Sequence, residues 1–428
     1  MDILNRRDFV KTGLAAGALW TTGQASIGQA WSAEPKTKPR EKLPVAAIVT
    51  EYRVNSHADV IVGKILEGYE QNGGPGPDLK LASLFTDQVP KSDTSRALQR
   101  KHGFLMAKSI EEAVTLGTGK VAVAGVLSIG EHGNYPSTKD TGQHMYPRRR
   151  FFDGIVTAFK KYGKVVPVFN DKHLAYNWAD AKHMHDTARE LKIPFMAGSS
   201  LPMAWRVPPL ELPRDCQIES VLVHGYGGLE SYGFHALEGL QCMVERRKGG
   251  ETGVVSVQAV KGDEIVKAEK DGRWSRELFE AAGDTAERRL KKPGEPIAKD
   301  AIFYLIEYQG GLRAAVAMNA GLAYELFSIA VKLKGETKPR ATRFELQDGK
   351  PYGHFAHLLR AIEPMIHTGK PAYPVERTLL TTGILDAAMH SVAEGQSLKK
   401  TDHLAAVAYQ STDWPFAAGR APKPRETP

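Results

Sequence analysis

The chain has 428 residues, of which 25% are charged, and a net charge of +8. This length exceeds what one compact core holds and fits two domains of ordinary size. The tight basic clusters, residues 148–150 and 246–248, lack the interleaved aromatic residues of single-strand binders. A solvated surface explains them, so no nucleic-acid partner is expected.

The N-terminus predicts export. Residues 5–11 read Asn-Arg-Arg-Asp-Phe-Val-Lys, followed by a mildly apolar stretch over 12–23 and small residues near Ala30 and Ala33. This is the pattern of a twin-arginine signal peptide, here over residues 1–33, and it predicts recognition by the twin-arginine machinery and a periplasmic or extracellular location. The apolar run is shorter than the roughly 20 residues of a spanning helix, so no stable membrane anchor is expected. The alternative is a basic N-terminal arm.

Residues 34–43 are rich in Pro, Lys and Thr and predict a flexible linker. Strands and helices then alternate over residues 44–204. The predicted strands are 45–52, 79–86, 120–127, 165–170 and 194–198, and the predicted helices are 58–71, 92–102, 109–116, 149–162 and 178–191, the last with Asn177 as N-cap. This alternation predicts a Rossmann-like domain with a doubly wound parallel sheet.

The pattern changes after residue 204. Longer strands are predicted at 220–226, 253–260, 301–308, 312–318 and 342–347, and helices at 234–247, 355–367 and 375–393. Residues 205–410 therefore predict an α+β domain with a mostly antiparallel sheet whose helices cover one face, and residues 411–428 a C-terminal tail.

Metal and disulfide chemistry are poorly supported. Cys216 and Cys242 could pair in an oxidising compartment, but both lie in apolar stretches where buried free thiols are equally expected. Neither the cysteines nor the histidines show the spacing of metal ligands, so no metal site is predicted.

The turn after the first strand bears on nucleotide binding. A dinucleotide-binding domain has Gly-x-Gly-x-x-Gly there, so that backbone N–H groups can approach a pyrophosphate. This chain lacks that glycine motif. The spacing of Ser56 and Asp59 predicts a capping box, in which the backbone N–H groups at the start of the helix are already hydrogen-bonded. Glu51 adds negative charge opposed only by Arg53 and His57, so ordinary pyrophosphate binding is disfavoured.

Other polar residues follow the later strands, where ligands of such a sheet bind. Asp87 ends the second strand, either as a ribose-binding acid or as a turn residue, and the third strand leads into a loop with Ser128, Glu131 and His132.

The fourth strand delivers a charged trio, Asp171, Lys172 and His173, to the same edge, with Tyr176 and Trp178 near enough to stack on a sugar ring.

In the second half a glycine-bearing turn leads into a helix that carries several candidate substrate contacts. His235 and Glu238 lie three residues apart on one face of that helix, after Glu230 and Ser231. The ordinary alternative is that His235 is a buried histidine whose hydrogen bonds are made within the core. The surrounding glycines favour a functional site instead.

These motifs together resemble the glucose-fructose oxidoreductase and inositol dehydrogenase family over roughly residues 45–409. Residues 84–87 and 97–103 are similar to its second strand and following helix, and 374–386 to its closing helix. Lys172 occupies the lysine position of the family's Glu-Lys-Pro motif. Residues 233–238 resemble its Asp-x-Gly-x-His-x-x-Asp signature, with Ser231 and Glu238 in the places of the aspartates.

The resemblance implies a Rossmann domain followed by an open-faced antiparallel sheet domain, with Lys172 and His235 as the catalytic pair. The lysine would polarise or protonate a sugar oxygen, and the histidine would move a hydroxyl proton. It further implies NAD(P) as a cofactor, with Asp87 holding ribose hydroxyls, and a homo-oligomer formed through the outer face of the second sheet. Arg53 and Ser128 are the other candidate cofactor contacts.

Three functions follow as hypotheses. The first is an exported carbohydrate-active oxidoreductase with a degenerate dinucleotide site. The second is a nucleotide-free lyase, hydrolase or epimerase that acts on an oxidised sugar with the same lysine and histidine. The third is a periplasmic sugar-binding protein, which would need neither residue.

Overall fold

The computed structural model describes residues 41–425. The predicted signal peptide and nearly all of the predicted linker lie outside these residues. Regular structure begins at Leu43, one residue before the predicted start of the first domain. No helix within residues 41–425 is long and apolar enough to cross a bilayer.

The first domain is a parallel sheet of six strands in the order β3-β2-β1-β4-β5-β6. Its elements are β1 Leu43–Val49, α1 His57–Glu67, β2 Leu79–Thr86, α2 Ser95–His102, β3 Leu105–Met106, α3 Ile110–Thr115, β4 Gly125–Ile129, α4 Arg148–Tyr162, β5 Val168–Asp171, α5 Trp178–Glu190 and β6 Phe195–Gly198. The predicted doubly wound sheet is confirmed. The strand order reverses between β1 and β4, so the loops after these two strands flank the crevice in which such sheets bind ligands.

Some predicted boundaries move for identifiable reasons. Helix α1 ends at Glu67 because Gly68 follows with a φ of 82°. The strand predicted at 120–127 is observed at Gly125–Ile129. Val121 and Val123 are buried but precede the paired segment, so their apolar character reports packing and not strand pairing.

The second domain is an eight-stranded sheet in the order β14-β9-β10-β11-β8-β12-β13-β7. Its elements are β7 Trp205–Val207, β8 Ile218–Gly225, α6 Ser231–Val244, β9 Val254–Lys261, α7 Asp263–Lys270, α8 Arg276–Gly283, β10 Ile302–Tyr308, β11 Arg313–Met318, β12 Ser328–Leu333, β13 Arg340–Glu345, α9 Gly353–Thr368, α10 Glu376–Ala393, β14 Lys399–Lys400 and α11 Asp402–Ala405. All strand pairs are antiparallel except β8 with β11. The predicted mostly antiparallel sheet is therefore confirmed.

Helices lie on both faces of this second sheet. Helices α6 and α10 pack on the face that continues into the main core. On the other face, α7 and α8 enclose a separate cluster that includes Trp274, Phe279 and Phe303. The sequence pattern predicts helices on one face only, because α7 and α8 are short and lie in a charge-rich stretch. The outer face is thus partly covered.

The two domains are tied together by segments late in the chain. Glu363 of α9 accepts hydrogen bonds from the Asp78 amide at 2.7 Å and from the Tyr69 hydroxyl at 2.9 Å.

The C-terminal segment packs on the second domain. Phe416 is buried, and its ring centroid lies 3.7 Å from Cζ of the Arg206 guanidinium. The described part of the predicted tail is therefore packed onto the second domain. Both cysteines are free, which is one of the two outcomes that the sequence left open.

Candidate active site

Lys172 lies directly after β5 and is 4% exposed. Its backbone has a φ of 63°, an uncommon left-handed conformation for a lysine. Its amide donates to the Gly198 carbonyl at 3.0 Å, which joins the ends of β5 and β6. The lysine side chain is therefore aimed by a fixed backbone.

Glu131 links Lys172 to a second buried cation. One carboxylate oxygen lies 3.1 Å from Lys172 Nζ, and the other accepts from Arg148 at 2.6 Å. Burial alone would raise the pKa of Glu131, but Lys172 and Arg148 together hold this pKa far below its usual range. Arg148 is 0% exposed. The expectation that its basic cluster forms a solvated surface is wrong at this residue, because Glu131 neutralises it.

The network continues to His173 and Glu230 behind the lysine. Arg148 Nη1 is 3.0 Å from His173 Nε2, which is 3.7 Å from a carboxylate oxygen of Glu230. Burial and the neighbouring Arg148 lower the pKa of His173 to about 4. Glu230 also accepts from the His144 amide at 2.8 Å. Both predicted substrate contacts thus belong to the polar network around Arg148, and whether they also contact a substrate stays a prediction.

His235 of the second domain contacts the turn that follows β6 of the first domain. Its Nδ1 lies 2.5 Å from Ser199 Oγ, and Ser199 follows the Gly198 that binds the Lys172 backbone. Burial, followed by the positive charges of Lys172 and His57, lowers the pKa of His235 well below its usual value. The imidazole is therefore neutral at neutral pH. Lys172, through its backbone amide, and His235, through its ring, thus contact the adjacent residues Gly198 and Ser199. Their catalytic roles stay predictions.

Glu238 lies beneath His235 and does not reach the crevice. It is 0% exposed, accepts from the Thr381 hydroxyl at 2.7 Å and lies 3.4 Å from the Ser199 amide. Burial raises its pKa to about 7. The predicted substrate contact is corrected to a positioning role, because this carboxyl supports the Ser199 turn. Ser231 is the first residue of α6 and is partly exposed.

Asp171, a predicted substrate contact, pairs with a histidine that the sequence did not indicate as part of the site. His57, the first residue of α1, places Nδ1 2.6 Å from Asp171 Oδ2. Asp171 is 1% exposed. The His57 ring packs edge-on against His132 and Phe355, with centroids 5.4 Å and 5.0 Å away. The two partners lie 114 residues apart in the chain, so only their positions after β1 and β5 could have indicated a common edge.

The β1–α1 turn is filled by this chain's own side chains. Ser56 Oγ accepts from the Arg53 and Asp59 amides at 3.2 Å and 3.3 Å, and Asp59 accepts from the Asn55 amide at 2.9 Å. The expected capping box is present in this form. Glu51 is 7% exposed and pairs with Arg53 at 2.7 Å. A pyrophosphate in the ordinary position would meet a buried carboxylate and occupied donors, so the residues present do not fit it.

The other candidate cofactor contacts fit no better. Asp87 accepts two hydrogen bonds from Arg150, at 2.9 Å and 2.6 Å, and one from Tyr135 at 2.7 Å. Burial raises the pKa of Asp87, but these partners outweigh it and lower the pKa overall. Ser128 is 1% exposed inside β4. The expectation that Asp87 and Ser128 contact a cofactor is therefore not supported, because Asp87 is already engaged by Arg150 and Tyr135 and Ser128 is enclosed.

Arg53 and His132 meet at the rim of the crevice. Arg53 Nη2 lies 3.3 Å from His132 Nδ1. Burial, followed by the charge of His57, lowers the pKa of His132 to about 4. His132 has a φ of 70°, which turns the loop after β4 back towards α1. Arg53 is thereby engaged with protein groups on two sides.

The two aromatic residues predicted to stack on a sugar lie in different places. Tyr176 lines an open groove of about 570 Å³ together with Tyr135, Tyr146 and Arg149. Trp178 instead packs on His403, with ring centroids 4.8 Å apart. Its amide donates to Asp386 of α10 at 3.0 Å. Trp178 is therefore corrected to an interhelical packing residue, because α10 covers this side of α5.

Within residues 41–425, no group of three or more His, Cys, Asp or Glu side chains has the geometry to hold a metal ion.

The comparisons with known proteins give the class of the fold. No family model and no curated protein match the sequence. Among solved structures, the chain is similar to GenD2 from gentamicin A biosynthesis, in complex with NAD, at 13% identity and a TM-score of 0.55, covering 86% of this chain and 99% of that one.

Two inositol dehydrogenases are similar as well. A myo-inositol dehydrogenase from Corynebacterium glutamicum has 12% identity and a TM-score of 0.51, covering 84% of this chain and 99% of that one. The enzyme from Lactobacillus casei, in complex with NAD(H) and myo-inositol, has 10% identity and a TM-score of 0.51, covering 84% and 96%.

This chain therefore has the two-domain fold of these dehydrogenases. At the level of the fold, the resemblance to the glucose-fructose oxidoreductase and inositol dehydrogenase family is confirmed.

Proposed function

We propose that this protein is a carbohydrate-active enzyme that performs acid/base chemistry on an oxidised sugar without a bound dinucleotide. One observation carries the proposal. Lys172 and His235 converge on the Gly198–Ser199 turn, while side chains fill the β1–α1 turn where such folds bind a pyrophosphate. A sugar that already carries a ketone needs no hydride acceptor.

The first step is removal of a proton from the carbon next to the ketone. A tautomer in which His235 Nδ1–H donates to Ser199 Oγ leaves Nε2 as the basic atom. The neutral His235 imidazole takes the proton, and the electron pair of the C–H bond moves into the carbonyl, whose oxygen becomes an enolate. The Lys172 ammonium, held in place by Glu131, stabilises this negative charge.

The second step decides the reaction class. In an elimination, the enolate expels an oxygen substituent from the next carbon, and an acid protonates the leaving oxygen. In an epimerisation, the same carbon regains a proton on its opposite face. His57, oriented by Asp171 at 2.6 Å, is our candidate for the second acid/base group, because it begins α1 of the first domain whereas His235 lies on α6 of the second.

A second function is favoured by the fold itself. The structures to which the chain is similar include dehydrogenases solved with NAD or NAD(H). An NAD(P)-dependent sugar oxidoreductase would use Lys172 and His235 as well, but this chain would have to bind the dinucleotide in an altered manner. The engagement of Asp87 by Arg150 and the filled first turn argue against this.

Export by the twin-arginine route to the periplasm or beyond is part of the proposal and rests on the N-terminal sequence. A homo-oligomer is also proposed. Because α7 and α8 cover part of the outer face, the surface for self-association on that face is reduced. Light scattering on the purified protein measures the oligomeric state.

The test uses the purified mature protein with no added cofactor. Ketosugars and ketoglycosides are incubated with it in D₂O, and proton NMR follows the hydrogen next to each ketone. We expect exchange of that hydrogen, with elimination or epimerisation of at least one substrate. Turnover that appears only after NAD(P) is added would establish the oxidoreductase function instead.

A further inference from the structure

A second cavity lies in the α+β domain, at the edge of the sheet where β8 and β13 end and β12 begins. Its volume is about 340 Å³. The loops after β8, between β11 and β12, and after β13 contribute its walls. This size falls within the range of small-molecule sites. No residue proposed above for catalysis lines it.

Aromatic side chains form one wall of this cavity. Tyr226 and Phe327 pack with ring centroids 4.7 Å apart, and Phe327 is stacked with Tyr232 at 6.2 Å. Tyr324 stands at the mouth with 80% of its surface exposed. A large exposed aromatic beside a polar cavity suits the apolar C–H face of a sugar ring, which stacks on tyrosine.

The aromatic wall connects the cavity to the catalytic histidine. Phe327 lines the cavity and lies 6.2 Å from the His235 ring, measured between centroids. Tyr232 approaches the same histidine at 6.0 Å. The Phe327 ring therefore stands between a ligand in the cavity and His235, so the cavity borders the catalytic histidine through one side chain.

The charges of the wall exclude some ligands. Four carboxylates and two guanidinium groups line the cavity. Arg343 pairs with Glu287 and Glu345, whereas Glu325, Asp348 and Arg288 have no ion-pair partner in the described part of the chain. Burial, followed by the charge of Glu325, raises the pKa of Asp348. Two unpaired carboxylates against one unpaired guanidinium disfavour a ligand carboxylate, while hydroxyl or amino groups find acceptors.

We infer that this cavity is a subsite for a second sugar ring, neutral or amino-substituted, so that the substrate is a glycoside of at least two rings. The inference rests on the proposed function, because it places the reacting ring at Lys172 and His235. The neighbouring ring then stacks in the cavity on Tyr226 and Tyr324.

The test compares the affinity for disaccharides with the affinity for the matching monosaccharides. Binding of a disaccharide panel (cellobiose, maltose and chitobiose) and of the matching monosaccharides is measured by calorimetry with the mature protein, its Tyr226→Ala variant and its Tyr324→Ala variant. Tyr324 is largely exposed, so its replacement cannot disturb the core. We expect each variant to bind the preferred disaccharide at least about tenfold more weakly and the monosaccharide unchanged.

A Tyr176→Ala variant distinguishes this cavity from the open groove of the first domain, which Tyr176 lines. If disaccharide binding falls in this variant and not in the tyrosine variants of the cavity, the second ring lies in the groove of the first domain and the inference is overturned. It is also overturned if no disaccharide of the panel binds more tightly than its monosaccharide. If the mature protein binds a disaccharide as expected but exchanges no hydrogen next to the ketone of any ketosugar, the proposed function fails and the subsite stands.

Discussion

Lys172 Nζ lies 3.1 Å from Glu131 Oε1, and both side chains are nearly fully buried. A buried lysine needs an anion, and a buried carboxylate needs a cation. Arg148 supplies the remaining positive charge at 2.6 Å from the other Glu131 oxygen. The ion pairs therefore hold the lysine side chain in one orientation, as the proposed stabilisation of an enolate oxygen requires.

Replacing the convergent pair should abolish turnover. Lys172→Met removes the charge that stabilises the enolate, and His235→Ala removes the base, so each should lower kcat by about 10²- to 10⁴-fold. Ketone exchange by NMR measures the rate, and circular dichroism checks the fold. Lys182→Met, at an exposed lysine paired with Asp186, is the matched control. A variant at Lys172 or His235 with full activity would remove that residue from the mechanism.

Arg148 should be a large contributor to stability although it lies in a basic cluster. Arg148→Met leaves Glu131 with only Lys172, and we expect the free energy of unfolding to fall by about 3–5 kcal/mol. Its neighbour Arg149 is 42% exposed and pairs with Asp180, so Arg149→Met should cost below about 1 kcal/mol. Urea denaturation of both variants measures the difference. Equal effects would mean that the buried network is unimportant for folding.

Glu238 should make stability depend on pH. Its pKa is raised from 4.5 to about 7 by burial, so the folded state binds the proton more tightly than the unfolded state. Its favourable contribution is complete below pH 4.5 and is lost as pH rises through 7, a change of about 3 kcal/mol.

Glu238→Gln removes this titration. Relative to the wild type, the variant should gain stability as pH rises from 4.5 to 8, measured by urea denaturation at each pH. Glu219→Gln, at an exposed position, is the control and should give a constant difference. A Glu238→Gln difference that stays flat or falls with pH would contradict the raised pKa.

Gly198 should tolerate no side chain. Its φ is 136°, and an added Cβ would lie 2.7 Å from a Glu238 oxygen and 3.0 Å from Thr378 Oγ1. We expect Gly198→Ala to destabilise the fold by about 2–4 kcal/mol. Gly163 has a φ of 65° with no atom within 4 Å of its Cβ position, so Gly163→Ala should cost about 1 kcal/mol. Thermal unfolding compares them, and equal losses would mean that only backbone strain matters.

The sequence predicted elements better than contacts. Strand β2 is observed over Leu79–Thr86 as predicted, and Asn177 caps α5 by accepting from the Asp180 amide at 2.8 Å. Both features depend on local patterns, namely a buried apolar run and a cap residue. The edge at which Lys172 and Glu131 would lie was likewise predictable, because parallel strands end together.

Side-chain partners far apart in the chain were not predictable in the same way. Nothing local to Arg148 shows that it is enclosed, since its neighbours Arg149 and Arg150 are partly exposed. Trp178 looks like a stacking residue until α10 is placed beside it. Periodicity gives the face of an element, whereas partners are set by how the elements pack.

Whether the protein binds a dinucleotide decides between the two proposed functions. The purified mature protein is denatured and its supernatant analysed for nicotinamide cofactors, and the native protein is titrated with NAD, NADH, NADP and NADPH by calorimetry. We expect no released cofactor and no saturable binding at millimolar concentration. Stoichiometric release, or tight binding of any of the four, would contradict this expectation.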